Sequence, residues 1–282
     1  MLEVDHMEYG TVTAFRDHLV EEERSEGTIE KYLRDVKAFL LWLDERPLDK
    51  VQLIHWKEHL MVGGYKPATI NAMIASVNAY LRFVGREDCI VRGLRLQRST
   101  FRSTDKELTA EEYKRLVETA HRLKRERLAL LLETIGGTGI RVSEVKYITV
   151  QAAQNGRTEI SLKGKIRTII LPGKLCRKLL KYAKKNKIAS GEIFLTRSGK
   201  SIDRKQIWAE MKRLCLRAGI KGSKVFPHNL RHLFAQAFYK LHKNLVQLAD
   251  VLGHSSVETT RIYLVSTGTE HARQIERLGL IS

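Results

Sequence analysis

Apolar residues return at helical spacing along almost the whole chain, and only one stretch alternates like strands. The fold is therefore expected to be mainly α, with a small β-hairpin or sheet in its second half. The clearest stripe is Ile29, Tyr32, Leu33, Val36, Phe39, Leu40 and Leu43, continuous along one side of a helix predicted over residues 28–43 with Thr28 as its N-cap. Residues 11–22, 48–60 and 68–84 repeat the pattern, separated by Gly27, by Pro47 and by Gly63, Gly64 and Pro67. Four helices with short links make a compact bundle. On the polar side of this bundle stand Lys57, Lys66, Thr69, Asn71, Ser76 and Asn78, a face suited to a nucleic-acid backbone and equally to water.

Residues 92–106 lose the periodicity and carry Arg92, Arg95, Arg98 and Arg102, a basic linker able to track a phosphate backbone. Thr109 with Glu112 forms a capping box that opens a helix over 110–120. The chain thus divides into a helical domain (1–92), a linker (93–106) and a second domain (107–282). Residues 126–135 form an apolar helix ending in a cluster of glycines, Gly136, Gly137 and Gly139. Without a following Gly-Lys-Ser/Thr or a third dinucleotide-type glycine, this cluster reads as a tight turn that points Arg141 inward, with Glu144 one turn later. Residues 157–171 are the one hairpin, two β-rich strands around Lys163, Gly164 and Lys165. Its tip places two ammonium groups on a movable element, although in isolation they would read as surface lysines. Basic amphipathic helices follow over 175–187 and 203–217, where a phosphate-facing role and a solvated face are equally supported.

The last quarter concentrates the chemistry. His228 and Arg231 lie three apart at the start of an apolar-periodic run (Leu230, Leu233, Phe234, Ala237, Phe238, Leu241), so both project from the first turn of one helix and suit the gripping of a phosphate. A second short helix over 245–252 is stopped by Gly253, and His254 follows at once. Ser255 with Glu258 reads as a capping box for a third helix carrying Tyr263 about two turns in.

Charge gives these residues a partner. The net charge is +18, but residues 1–92 hold 12 Lys and Arg against 16 Asp and Glu, whereas residues 93–282 hold 38 against 16. A surface this basic attracts a polyanion through counterion release, and DNA or RNA is the expected one. No run approaches the ~18 apolar residues of a membrane span. Cys89, Cys176 and Cys215 are odd in number and match no zinc pattern, and the N-terminus has no secretory character. The expected location is therefore cytoplasmic, associated with the nucleoid when DNA is bound.

Taken together, Thr138–Glu144 (TGIRVSE), the lysine hairpin, His228–His232 (HNLRH), Leu252–His254 (LGH) and Thr259–Tyr263 (TTRIY) resemble, in order, the motifs of the tyrosine recombinases or phage-type integrases, and among them the short Xer-like members. The resemblance implies an N-terminal four-helix core-binding (SAM-like) domain and an α+β catalytic domain that clamp DNA from opposite sides. It also implies that Arg141, Lys163, His228, Arg231 and His254 surround a scissile phosphate that Tyr263 attacks. Lys163 is favoured over Lys165 as the hairpin lysine; Lys165, with Arg95, Arg98, Arg102, Lys57 and Lys66, is assigned to DNA binding. The implied substrate is double-stranded DNA with an inverted-repeat core site. The family acts as a homotetramer in the synaptic complex, and the chain is expected to be monomeric in free solution. Residues 266–282, with Ile275, Leu278, Leu280 and Ile281, resemble the tail that docks on a neighbouring protomer; packing on its own domain is the rival reading.

The chemistry stands on its own terms as well. A phosphodiester attacked by an alcohol gathers negative charge, and two arginines can neutralise it bidentately, so no metal or other cofactor is expected. A phenol of pKa about 10 needs a base or a cationic field. His228 or the phosphate would take its proton, His254 would donate to a non-bridging oxygen, and the hairpin lysine would protonate the leaving 5′ oxygen. The resulting 3′-phosphotyrosyl link conserves the bond, so rejoining needs no ATP, and two rounds through a Holliday junction recombine two duplexes. A type IB topoisomerase would share the tyrosine step, and a non-catalytic DNA-binding protein would explain the charge alone. His228 and His232 at i, i+4 lack the glutamate of a zinc-protease helix, since Asn229 stands there. Tyr239 is the alternative tyrosine, without a capped helix to present it. The motifs fit integration and excision, cointegrate resolution and chromosome dimer resolution alike.

Overall fold

The computed structural model describes residues 9–95, 107–162, 165–263 and 276–277. The chain falls into two compact units, Met1–Arg98 and Ser99–Ser282.

The first unit is a bundle of α1 (Tyr9–Glu21), α2 (Glu26–Leu43), α3 (Lys50–Val62) and α4 (Pro67–Phe83). Asp49 caps α3 by accepting from the Gln52 amide, and Pro67 opens α4 at a position where a missing N–H costs nothing. α2 starts two residues before the expected point, with Ser25 in place of Thr28 at its N-cap; the two hydroxyls lie 2.9 Å apart. Phe15, Phe39, Trp56 and Tyr80 form the centre of the core, all 1% exposed or less, with Phe39 edge-on to Trp56 at 5.0 Å and Phe15 edge-on to Tyr80 at 5.3 Å.

The bundle also consumes part of the polar face expected to meet DNA. Ser76, fully buried, donates to Asp35 at 2.9 Å, and Lys31 reaches the same carboxylate at 2.7 Å, pinning α2 to α4. Asn78 and Asn71 bond the backbones of Val91 and Leu94. These three side chains hold the fold together because an amide or hydroxyl between helices must find a partner there.

The second unit is built on α6 (Glu126–Thr138), in which Leu128, Ala129, Leu130, Leu131, Leu132 and Ile135 are all 5% exposed or less. A helix apolar all round belongs at a centre, and α6 packs against α5 (Ala110–Arg122), α8 (Gly173–Lys185) and α10 (Pro227–His242). α5 opens on the expected Thr109–Glu112 capping box. After α6 come a 3-10 turn (Val142–Tyr147), α7 (Val150–Asn155) and the antiparallel strands β1 (Arg157–Leu162) and β2 (Lys165–Ile170), paired from Arg157↔Ile170 to Leu162↔Lys165. α9 (Arg204–Ala218) lies between α8 and α10 in sequence, and α11 (Leu245–Leu252) and α12 (Val257–Arg261) end the described run. Mainly helical, with one two-stranded antiparallel sheet among the described residues, the chain has the expected fold class.

Candidate active site

Arg231 is the hub. It sits in the second turn of α10, 2% exposed, and its guanidinium donates from Nη1 to the Gly139 carbonyl at 2.5 Å and from Nη2 to the Leu252 carbonyl at 2.9 Å. Both acceptors stand at helix ends. Gly139 (φ +65) closes α6 and Leu252 is the last residue of α11, so the orphan carbonyls of two helices hold one cation. Gly139 is restricted to glycine in two ways: its φ is left-handed, and a Cβ there would lie 2.4 Å from the Phe234 ring. Burial lowers the Arg231 pKa, while the Tyr263 hydroxyl beside it acts in the opposite direction.

Tyr263 and His254 complete the cluster. Arg231 Nε donates to Tyr263 Oη at 3.3 Å, and Nη2 lies 2.8 Å from His254 Nε2. His254 Nδ1 lies 2.7 Å from Thr260 Oγ1. The Tyr263 ring, 3% exposed, stacks on His254 at 5.8 Å and 13°, takes His232 edge-on at 5.0 Å, and lies 5.8 Å from His228. It rests on a small apolar cluster of Ala235, Leu248 and Leu252. Tyr239 packs beside the same cluster under Lys243; the hydroxyl bonded to Arg231 is that of Tyr263. Desolvation, followed by Arg231, Arg141 and Arg167, pushes the His254 pKa down to about 4.

Tyr263 is reached differently from the expected way. The cap of α12 is Ser256, which accepts from the Glu258 amide, and the helix ends at Arg261 after five residues, so Tyr263 stands in the turn that follows. The phenol thus meets Arg231 from a turn and not from a helix.

Arg141 lies at the head of the 3-10 turn, with its backbone N–H donating to Glu144 at 2.7 Å and its Nη1 to the same carboxylate at 2.9 Å. Glu144 has no exposed surface, and a second guanidinium, Arg167 of β2, donates to both its oxygens at 2.9 Å. Arg167 also donates to the Val251 carbonyl at 3.0 Å, and its aliphatic stem lies so close to Gly253 that a Cβ there would meet Cδ at 2.1 Å. Burial brings the Arg167 pKa down to about 10, against the pull of Glu144. Arg167 was not foreseen as a site residue. The strand period carries the missing signal: Ile169, on the same face, is 1% exposed, so an arginine two residues earlier points inward.

Among the remaining expected residues, His228 is exposed on the first turn of α10, and Lys66 and Arg95 are exposed. Lys57 donates to the Arg92 carbonyl at 3.4 Å. Lys163, Arg98, Arg102 and the apolar tail residues Ile275, Leu278, Leu280 and Ile281 lie outside the described residues, as does the side chain of Lys165. Part of the basic run on α8 is paired with carboxylates of α6: Lys178 with Glu133 at 2.5 Å and, at the surface, Lys185 with Glu126 at 2.7 Å.

The helical front unit and the helical second unit with one hairpin match known proteins in both sequence and fold. The chain belongs to the phage integrase family, whose profile matches residues 106–270, and the N-terminal SAM-like domain of phage integrases matches residues 12–88. It is 30% identical over 274 residues to tyrosine recombinase XerA of Thermococcus kodakarensis, covering 94% of this chain and 93% of that one. In three dimensions it resembles a crystal structure of XerA recombinase (22% identity, TM-score 0.53, 97% and 99% of the two chains). It also resembles a lambda integrase tetramer bound to a Holliday junction (17% identity, TM-score 0.72, 90% and 76%). The chain is thus a tyrosine-type site-specific recombinase.

Proposed function

We propose that this recombinase cuts and rejoins double-stranded DNA through a 3′-phosphotyrosyl intermediate on Tyr263. The observation that carries the proposal is the 3.3 Å bond from Arg231 Nε to Tyr263 Oη, made by a guanidinium whose other nitrogens are already held by two helix ends and by His254. Four of the five N–H donors are engaged, and the bond to the phenol is the longest. An entering phosphate oxygen takes that place, and the displaced phenol is left beside the phosphorus it attacks.

Arg231 and Arg141 then neutralise the charge that develops on the phosphoryl oxygens in a site whose donors are fixed in advance. His228, at the open side of the tyrosine ring, takes the phenolic proton, and Lys163 of the hairpin gives one to the leaving 5′ oxygen. The tyrosyl ester keeps the free energy of the broken bond, so neither ATP nor a metal is needed for religation. The first unit acts as the core-binding domain and residues 107–282 as the catalytic domain, joined by the basic linker, on an inverted-repeat site within a tetramer. The lambda integrase tetramer on a Holliday junction supports this last reading as an analogue of the same fold.

The test is a nicked suicide duplex. Wild-type protein is expected to accumulate a covalent adduct that mass spectrometry maps to Tyr263. Tyr263→Phe should bind the duplex equally and form none. An adduct in the Phe variant, or one mapped to Tyr239, would overturn the proposal, and relaxation of supercoils without resolution of a synthetic junction would replace recombination by a topoisomerase activity.

A further inference from the structure

We infer that Thr260 is a positioning residue that sets which nitrogen of His254 carries the proton, and that its hydroxyl reverses direction when DNA phosphate enters; this rests on the function proposed above. A guanidinium can only donate, so His254 Nε2, 2.8 Å from Arg231 Nη2, is an acceptor in the DNA-free chain. The proton of the neutral ring is then on Nδ1 and is donated to Thr260 Oγ1 at 2.7 Å. Thr260 is fully buried, one turn before Tyr263, and its carbonyl accepts from the Tyr263 amide at 3.0 Å. One residue therefore touches the histidine through its side chain and the tyrosine through its backbone.

In this state His254 offers a phosphate no donor. Burial and three neighbouring guanidinium groups hold its pKa down to about 4, so protonation does not supply one at neutral pH. Tautomer exchange does: the ring gives its Nδ1 proton to solvent and takes one at Nε2, with no change in charge. Arg231 Nη2 then releases Nε2 and turns its own N–H to the phosphate; Nε2–H donates to a non-bridging oxygen while Nδ1 needs a donor, and a hydroxyl can turn to become one. Valine matches threonine in shape and can do neither. Histidine polarity is in this way set through the hydroxyl of the same residue whose backbone carbonyl holds the Tyr263 amide.

Three full-length proteins decide the matter: wild type, Thr260→Val and Thr260→Ser. In ¹⁵N-labelled DNA-free protein, a slowly exchanging Nδ1–H of His254 is expected in the wild type and in Ser, and is lost in Val. On a nicked duplex bearing the site at which wild-type protein forms its adduct, single-turnover cleavage by Val should fall about tenfold with DNA affinity unchanged, and Ser should restore it. Bound to that duplex, Tyr263→Phe should show the Nε2–H tautomer. Wild-type cleavage by Val, an equal defect in Ser, or a Nδ1–H tautomer on DNA each overturns the inference. If the wild type forms no adduct, the proposed function fails and the catalytic role of Thr260 fails with it, whereas an intact wild-type adduct with an unaffected Val variant removes only the role of Thr260.

Discussion

Glu144 is a carboxylate with no exposed surface between two guanidinium groups, of which Arg167 is buried and Arg141 is 42% exposed at its side chain. Attraction inside a low-dielectric site holds such a group only while both partners and its lone pairs are satisfied. Glu144→Gln keeps the shape but turns an amide N–H₂ toward a cation, so the variant should lose about 3 kcal/mol in urea unfolding and should cleave DNA poorly because Arg141 is no longer held. His254 gives a pH signature. Its pKa is about 4 in the folded chain against 6.5 for the free side chain, so between these values the unfolded chain binds a proton that the folded chain refuses. Stability should therefore fall as pH drops from about 6.5 toward about 4 and show no contribution from this residue at higher pH. Thermal melts of His254→Gln should lack that part of the slope. Arg231 and His254 were legible in the sequence because each follows a helix signal, a proline-led first turn or a terminal glycine. Thr260 was not, since nothing in a Thr-Thr pair says which hydroxyl will face an imidazole six residues earlier.

Short elements set the positions of the long side chains. α11 ends at Leu252, where its carbonyl takes Arg231, and Gly253 turns the chain with φ +63 while leaving room for the Arg167 stem. Gly253→Ala places a side chain in left-handed backbone, which costs about 1–2 kcal/mol, and drives Arg167 off the turn as well. The variant should unfold earlier in urea by at least that amount. It should also lose cleavage more than a Gly219→Ala control, whose φ is +63 but whose Cβ meets nothing within 4 Å. The helix stripes and the hairpin strands could be read in the sequence because burial of one face imposes a period on the residues. The start of α12 could not. Ser255 and Ser256 are adjacent and chemically the same, and tertiary packing of Thr260 and Tyr263 decides which of them caps. The polar residues of α4 are misplaced for a related reason: Ser76 and Asn78 have the chemistry of a wet surface and yet are buried, with Asp35 and the Val91 backbone as internal partners.

At the scale of the whole molecule, charge is divided where the chemistry is divided. Residues 1–92 carry a net −4 and residues 93–282 a net +22, while the buried cations Arg167 and Arg231 are committed to the candidate active site and two lysines of α8, Lys178 and Lys185, to carboxylates of α6. The affinity of the full chain for duplex DNA should then come mainly from the exposed remainder of the second unit and the linker, through release of counterions from phosphate. That term has a fixed form: the logarithm of the association constant falls linearly with the logarithm of salt, by about 0.9 for each phosphate neutralised. With about six phosphates engaged, affinity should drop on the order of a thousandfold between 50 and 200 mM salt, followed by fluorescence anisotropy on a labelled duplex. Replacing a pair of exposed basic residues such as Arg95 and Lys66 should reduce the slope by about 2 if both meet phosphate. A slope near zero for the wild type would mean that contacts other than phosphate hold the DNA, and the excess of 22 positive charges would then need another partner.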